Sequence, residues 1–194
     1  MARQFRSDDT SIWTDRYGDG SDGALTISSN TTDSAANTNC SGTSGSTTLT
    51  VGSGTGFDNN DLVLIHQSRN GGSGAGVWEL NKISSGGGTT TWTMTYALQN
   101  NYDTTAQVYL LNQYSSVTID AGVTFDARNW NGSTGGVLAL LCNGTITVNG
   151  TISVLGRNGG KNSGDVGRGY RNNTGVAGSA PGFCGEGEVG ASLQ

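Results

Sequence analysis

Asn143-Gly144-Thr145-Ile146-Thr147-Val148 is followed at once by Asn149-Gly150-Thr151-Ile152-Ser153-Val154, and how this doublet folds decides the architecture. Within each unit Thr or Ser alternates with Ile or Val, the period of a strand with one wet face. Two folds satisfy that pattern. Asn-Gly between alternating strands suits a type I′ turn, in which both central residues take φ > 0, and would pair the units as a hairpin. A six-residue period also suits a β-solenoid, where each short strand ends at a corner and its Ile and Val point inward. The solenoid is favoured because successive units look alike and neither is long. Val117-Thr118-Ile119-Asp120-Ala121-Gly122-Val123-Thr124-Phe125 has the same strand, corner, strand rhythm, which extends the reading to residues 115–156.

Upstream, residues 47–114 alternate strand candidates with glycine turns. The candidates are 48–51, 61–67, 76–83, 90–98 and 106–111. In Thr91-Trp92-Thr93-Met94-Thr95-Tyr96, Thr alternates with larger apolar residues, as on a half-wet strand. Asp61-Leu62-Val63-Leu64-Ile65 is nearly continuous in apolar residues, as a strand covered on both faces would be. Five short strands at this spacing predict a small β-barrel or sandwich. Residues 1–46 are polar and turn-rich, with one strand candidate at 24–28, and read as an arm or linker that orders against a partner. At the other end, residues 157–194 form a glycine-rich segment in which several glycines fall three apart, as at Gly164 and Gly167 or Gly175 and Gly178. The period breaks too often for collagen. A flexible tail is one reading; extended strands packed side by side, where absent Cβ atoms let backbones approach, is the other. The segment has no closing element, so the natural chain is expected to continue.

The expected class is therefore all-β. Of 194 residues, 33 are Gly, and only 13% are charged, about half the share of an ordinary globular chain. Disordered chains are typically highly charged and poor in aromatic and β-branched residues, whereas this one carries four Trp, six Tyr and many Val, Ile and Thr. A net charge of −5 without a basic cluster argues against nucleic acid. The longest apolar run, 135–142, is too short to cross a membrane as a helix. Residues 1–11 hold Arg3 and Arg6 but no apolar core of a secretory signal, so the expected route to the site of action is assembly in a host cell or processing of a precursor. Cys40, Cys142 and Cys184 lie far apart without metal-site spacing. Three buried thiols are expected, with one disulfide plus a free thiol as the alternative.

Phe57-Asp58-Asn59-Asn60-Asp61-Leu62-Val63-Leu64-Ile65-His66-Gln67, followed by Gly76-Val77-Trp78-Glu79-Leu80-Asn81-Lys82-Ile83, resembles a recurrent module of glycine-rich surface proteins of bacteria and tailed phages. In that group a small β-module precedes text similar to Trp130-Asn131-Gly132-Ser133-Thr134-Gly135-Gly136-Val137-Leu138-Ala139-Leu140. The Asn-Gly-Thr-Ile passage and a glycine-rich segment then follow. The opening Tyr17-Gly18-Asp19-Gly20-Ser21-Asp22-Gly23-Ala24-Leu25-Thr26-Ile27 is similar too. The resemblance spans residues 17–170 and implies a fibre, adhesin or surface-filament role on a virion or cell surface, with no catalytic residues to transfer.

Candidate chemistry is sparse. Asp15, Asp19 and Asp22 around Gly20 look superficially like a calcium loop, but Tyr17 stands where an EF-hand needs its second oxygen ligand and Thr26 where it needs the closing Glu. An Asp/Gly turn explains them better. Asp120 and Asp126 could share a face as a glycosidase-like carboxylate pair, though both flank corners, where Asp is common for turn reasons. His66, the one histidine, follows an apolar strand and reads as a packed residue. Among the aromatics, Trp78 and Trp92 read as core, and Trp130, in a turn-like stretch, is the candidate for stacking on a sugar. The glycosylation-like triplets Asn131-Gly132-Ser133, Asn143-Gly144-Thr145 and Asn149-Gly150-Thr151 arise from Asn-Gly turns without further meaning. Gly71 to Gly76 lacks the Lys and helix of a phosphate loop. The expected function is a non-enzymatic structural or adhesive subunit of a fibre, filament or virion appendage, a homo-oligomer joined by strand addition and able to meet a cell-surface glycan. A carbohydrate-binding module and a secreted β-helix enzyme acting on polysaccharide are the alternatives. No cofactor is expected.

Overall fold

The computed structural model describes residues 17–69, 72 and 74–154. All regular structure in them is β, as the composition predicts. The fourteen strands fall into a closed antiparallel barrel and a stack of three parallel sheets.

The barrel is built from β3 (Asn37–Gly42), β4 (Thr48–Val51), β5 (Leu62–Gln67), β6 (Trp78–Ser85), β7 (Thr91–Met94) and β8 (Tyr102–Leu110), in the closed order β3-β4-β7-β6-β5-β8. Closure removes the free edges that a six-stranded open sheet would expose. The alternation seen in sequence places Leu49, Val51, Trp92 and Met94 inside, while Thr48, Thr50, Thr91 and Thr93 face water. Trp92 is fully buried at the centre, its ring 4.7 Å from that of Phe57 and its Nε1–H donating to the Thr89 carbonyl at 2.8 Å.

The stack comprises β1 (Ala24–Ile27), β2 (Thr31–Thr32), β9 (Asn112–Tyr114), β10 (Ser116–Ile119), β11 (Thr124–Asp126), β12 (Leu140–Cys142), β13 (Ile146–Val148) and β14 (Thr151–Ser153). Its sheets run β1-β10-β13, β2-β11-β14 and β9-β12, every pair parallel. The two halves of the doublet therefore do not pair with each other. β13 lies on β10 and β14 lies on β11, which excludes the hairpin. The backbone agrees: among the described residues only Asn60 is a non-glycine with positive φ, and neither Gly144 nor Gly150 takes one, so the I′ geometry is absent. The Asn-Gly pairs are corners. Glycine is required there for space, because a Cβ on Gly144 would stand 2.1 Å from the Ser115 carbonyl oxygen and one on Gly150 2.3 Å from that of Val123.

In-register stacking lines up like with like. Leu25, Val117 and Ile146 form one column, Ile27, Ile119 and Val148 a second, and Thr31, Phe125 and Ile152 a third. Ile27, Val117, Ile119 and Phe125 make the buried core of the stack.

The reading of residues 1–46 as an arm needs correction over the part the structure describes. Strands β1 and β2 are the first turn of the stack and β3 is a barrel strand. Tyr17 to Asp22 runs along β9, where the Asp22 amide donates to the Gln113 carbonyl at 2.9 Å and the Gln113 amide to Asp22 Oδ2 at 2.6 Å. The partner that orders this segment is thus the chain itself. The barrel does not precede the stack but interrupts it: the chain leaves after Thr32, completes the barrel, and re-enters at Asn112. The glycine-rich segment 157–194 lies outside the described residues.

Candidate functional site

The most site-like feature among the described residues is a cleft of about 490 Å³ between the outer wall of the barrel and the last described turn of the stack. Strand β6 supplies one wall by an inversion of the usual pattern. Trp78 and Leu80 point outward, 37% and 43% exposed, while Glu79 and Asn81 are buried inside the barrel. The inward polar groups are engaged there. Glu79 Oε2 accepts from the Gln99 amide at 2.8 Å and the Asn100 side chain at 3.3 Å, and Asn81 Nδ2 donates to the Tyr96 carbonyl at 3.0 Å. Trp78, expected in the core, is therefore a wall of the cleft. Leu64 and His66 of β5 adjoin it. The near-continuous apolar run of β5 is thereby explained, since Val63 and Ile65 face the barrel interior and Leu64 the cleft. The floor is the core of the stack, and residues 137–141 with Ile146 and Ile152 complete the lining.

Residues 127–139, between β11 and β12, are held by polar contacts. Asn131 Oδ1 accepts from the amides of Ser133 and Thr134, both at 2.9 Å, a side chain-closed turn that accounts for the Asn-Gly-Ser triplet. Gln107 Nε2 donates to the Gly135 carbonyl at 3.1 Å and Gln107 Oε1 accepts from the Gly135 amide at 2.8 Å. Arg128 donates to Asn37 Oδ1 at 2.9 Å and to the Ala35 carbonyl at 3.1 Å. Trp130 sits half-buried in this segment, with the Arg69 guanidinium 5.8 Å from its ring centroid. Cation–π geometry of this kind occupies a ring face, so a sugar stacking on Trp130 would have the opposite face.

Tyr109, on the outer side of β8, is almost fully buried beside this segment, and burial pushes its phenol up to about 12. Asn37 and the backbone at Gly135 and Val137 act in the opposite direction. An exposed tyrosine ionises near about 10, so the unfolded chain gives up this proton before the folded chain does. The stabilisation is therefore complete below about pH 10 and drains away as pH rises toward about 12. Urea midpoints measured across that interval should fall steeply, and Tyr109→Phe should flatten the fall.

Apart from His66, the other predicted residues that the structure describes do not line the cleft. Asp19 Oδ1 accepts from the Ser21 amide at 2.9 Å, and hydrogen bonding to the Ser21 side chain first, and to its backbone second, lowers the pKa of Asp19. Asp22 is engaged by Gln113 as described, and Asp15 lies outside the described residues. Among the described residues no group of three or more His, Cys, Asp or Glu side chains could hold a metal ion. Asp120 stands at the corner after β10, outside any strand, and Asp126 lies in β11, so they are not paired on one strand face. His66 is buried, its Nδ1 3.1 Å from Ser68 Oγ. Cys40 is a buried thiol whose pKa is raised by burial and then by Glu79. Cys142 is only half-buried, contrary to the expectation of burial. Cys184 lies outside the described residues. Sequence reasoning missed the cleft because its walls come from distant stretches; the one local hint was Trp78-Glu79-Leu80-Asn81, in which apolar residues occupy the outward positions.

No family model matches this chain, and no curated protein does. Three solved structures are similar. The tailspike protein gp49 of Pseudomonas phage LKA1 shares 14% identity over 54% of this chain and 24% of its own, with a TM-score of 0.32. The tailspike gp61 of Pseudomonas phage phi297 shares 17% over 71% of this chain and 24% of its own, TM-score 0.35. The Gp54 tailspike of Acinetobacter baumannii bacteriophage AP22, solved with A. baumannii capsular saccharide, shares 10% over 73% of this chain and 31% of its own, TM-score 0.32. The chain thus spans under a third of the length of each protein to which it is similar.

Proposed function

We propose that this chain is a non-enzymatic structural or adhesive part of a fibre or comparable virion appendage, built as a β-solenoid that carries a barrel on its flank. The observation that carries this reading is the in-register parallel stack. Such a stack grows along one axis by repeating turns, each of which buries the apolar face of its neighbour. Backbone hydrogen bonds run along that axis, which suits a stiff appendage. The barrel, whose interior is sealed by its own core, is then a side decoration that displays loops. Association into homo-oligomers through open strand edges belongs to the same reading, and glycan contact at a cell surface would fall to the display loops, with Trp130 the residue placed for it.

The test is the size and shape of the purified chain by analytical ultracentrifugation and electron microscopy, run beside a depolymerisation assay on capsular polysaccharides. The expected result is an elongated oligomer without turnover. A compact monomer that cleaves a glycan, and stops doing so on Asp120→Asn, would overturn the proposal.

A further inference from the structure

At the rim of the barrel, where β5 ends and β8 begins, the polar atoms of three residues converge on one side chain. Gln67, the last residue of β5, is fully buried. Its Nε2 donates toward the Arg69 carbonyl at 2.8 Å, Asp103 Oδ1 at 2.8 Å and Thr105 Oγ1 at 2.7 Å. Its Oε1 accepts from the Asp103 amide at 3.1 Å. A carbonyl and a carboxylate only accept, so the amide nitrogen must face them. That nitrogen has two hydrogens for three oxygens. The Thr105 hydroxyl has one proton and two acceptors for it, the Arg69 carbonyl at 2.9 Å and Asp103 Oδ1 at 2.6 Å. The shorter distance is that of a charge-assisted bond to a carboxylate. The Thr105 amide holds the same Oδ1 at 2.8 Å. Satisfying a buried glutamine takes fewer partners than this; the surplus one is a hydroxyl beside its base.

We propose that the chain joins Thr105 Oγ1 to Gln67 Cδ as an intramolecular ester. Each part of an acyl transfer is in place. Asp103 Oδ1 takes the Thr105 proton as Oγ1 bonds to Cδ. The Asp103 amide, already on Oε1, stabilises the negative charge that develops there. The Cδ–Nε2 bond then breaks, and Asp103 Oδ1, 2.8 Å from Nε2, returns the proton so that the nitrogen leaves as ammonia. Carboxamide and alcohol become ester and ammonia, with no oxidant, reductant or second substrate. Oγ1 stands 2.7 Å from Nε2 and an amide C–N bond is about 1.33 Å, so Cδ is within about 4 Å of the nucleophile. A turn of the Gln67 amide brings the pair to the roughly 3–3.5 Å of an attack geometry. Burial of Gln67 shields the product carbonyl from water. Gln67 pairs with Ala106 across β5 and β8, so the bond ties two neighbouring barrel strands at their rim. The inference concerns the barrel alone and holds whether or not the chain belongs to an appendage.

The experiment is the intact mass of the denatured full-length chain, with peptide mapping at mildly acid pH, where esters survive. The expected mass lies one ammonia, about 17 Da, below that of the sequence, and a branched peptide joins position 67 to position 105. Alkaline hydroxylamine should split that peptide and leave a hydroxamate at position 67. Thr105→Ser keeps the hydroxyl and should keep the deficit, whereas Thr105→Ala should restore the full mass. Asp103→Asn should slow the appearance of the deficit by about a hundredfold, the scale of losing a general base. A chain at its full sequence mass overturns the proposal. So does a deficit that survives Thr105→Ala, as a succinimide at the Asn-Gly pairs of Asn131, Asn143 or Asn149 would. Where Thr105→Ala fails to fold, the branched peptide from the unaltered protein decides: its presence carries the proposal and its absence ends it.

Discussion

Trp92→Ala lowers the unfolding free energy by about 3–5 kcal/mol, the range for removing a fully buried Trp. The indole is the largest side chain in the barrel that is completely hidden from water. Its removal forfeits three things at once. The packing against Phe57 at 4.7 Å is lost. The Thr89 carbonyl loses the donor it meets at 2.8 Å. A void remains that a closed barrel collapses poorly, because every strand is pinned on both sides. Trp92→Phe keeps part of the ring and should cost clearly less. Urea denaturation followed by far-ultraviolet circular dichroism measures both; a loss for Trp92→Ala below about 1 kcal/mol would contradict the central placement of this ring.

Gly150→Ala costs about 3 kcal/mol, the upper part of the range for forced overpacking. The added methyl meets the Val123 carbonyl oxygen at 2.3 Å and that of Asp120 at 2.4 Å. Both are backbone atoms fixed by the stack: the Thr151 amide donates to that Val123 carbonyl at 2.9 Å, and the Val123 amide to that of Asp120 at 3.3 Å. No side-chain rotation relieves the contact, so the corner opens and β14 lifts from β11. Hydrogen exchange should show the loss at residues 151–153 while the barrel amides keep their protection. Unchanged protection at those residues would mean that the corner is not as tight as described.

Local pattern and local structure agree wherever a strand has one wet face. Thr48 to Val51 and Thr91 to Met94 were legible because alternation alone decides which side turns inward. The stacked corners at Gly144 and Gly150 were legible only as a pair of choices, since Asn-Gly serves a hairpin as well as a corner and a backbone clash with Ser115 or Val123 leaves no mark in six residues of text. Ala24 to Ile27 could not be assigned to a turn of the stack at all, because Leu25 pairs with Val117 and the ties at Asp22 bridge 91 residues to Gln113. The cleft failed for the same reason: Trp78 looks like any strand tryptophan until the distant stretch from Val137 to Ile152 is laid beside it. What periodicity cannot carry is the identity of the neighbour on a second face.

The place where the barrel interrupts the stack has a consequence for the order of assembly. During synthesis β1 and β2 emerge long before β10 and β11 exist, and a parallel partner so remote is slow to find. The barrel changes the search. Its first and last strands are neighbours, with Asn37 opposite Tyr109, so once it closes, the points where the chain leaves and rejoins the stack are held side by side. The loop that must shut to register Leu25 on Val117 then counts, in entropy, as a short hop across a finished body rather than the full intervening length. The flanking module is therefore a clasp that threads the first turn onto the second, and the remaining turns need only follow their predecessor.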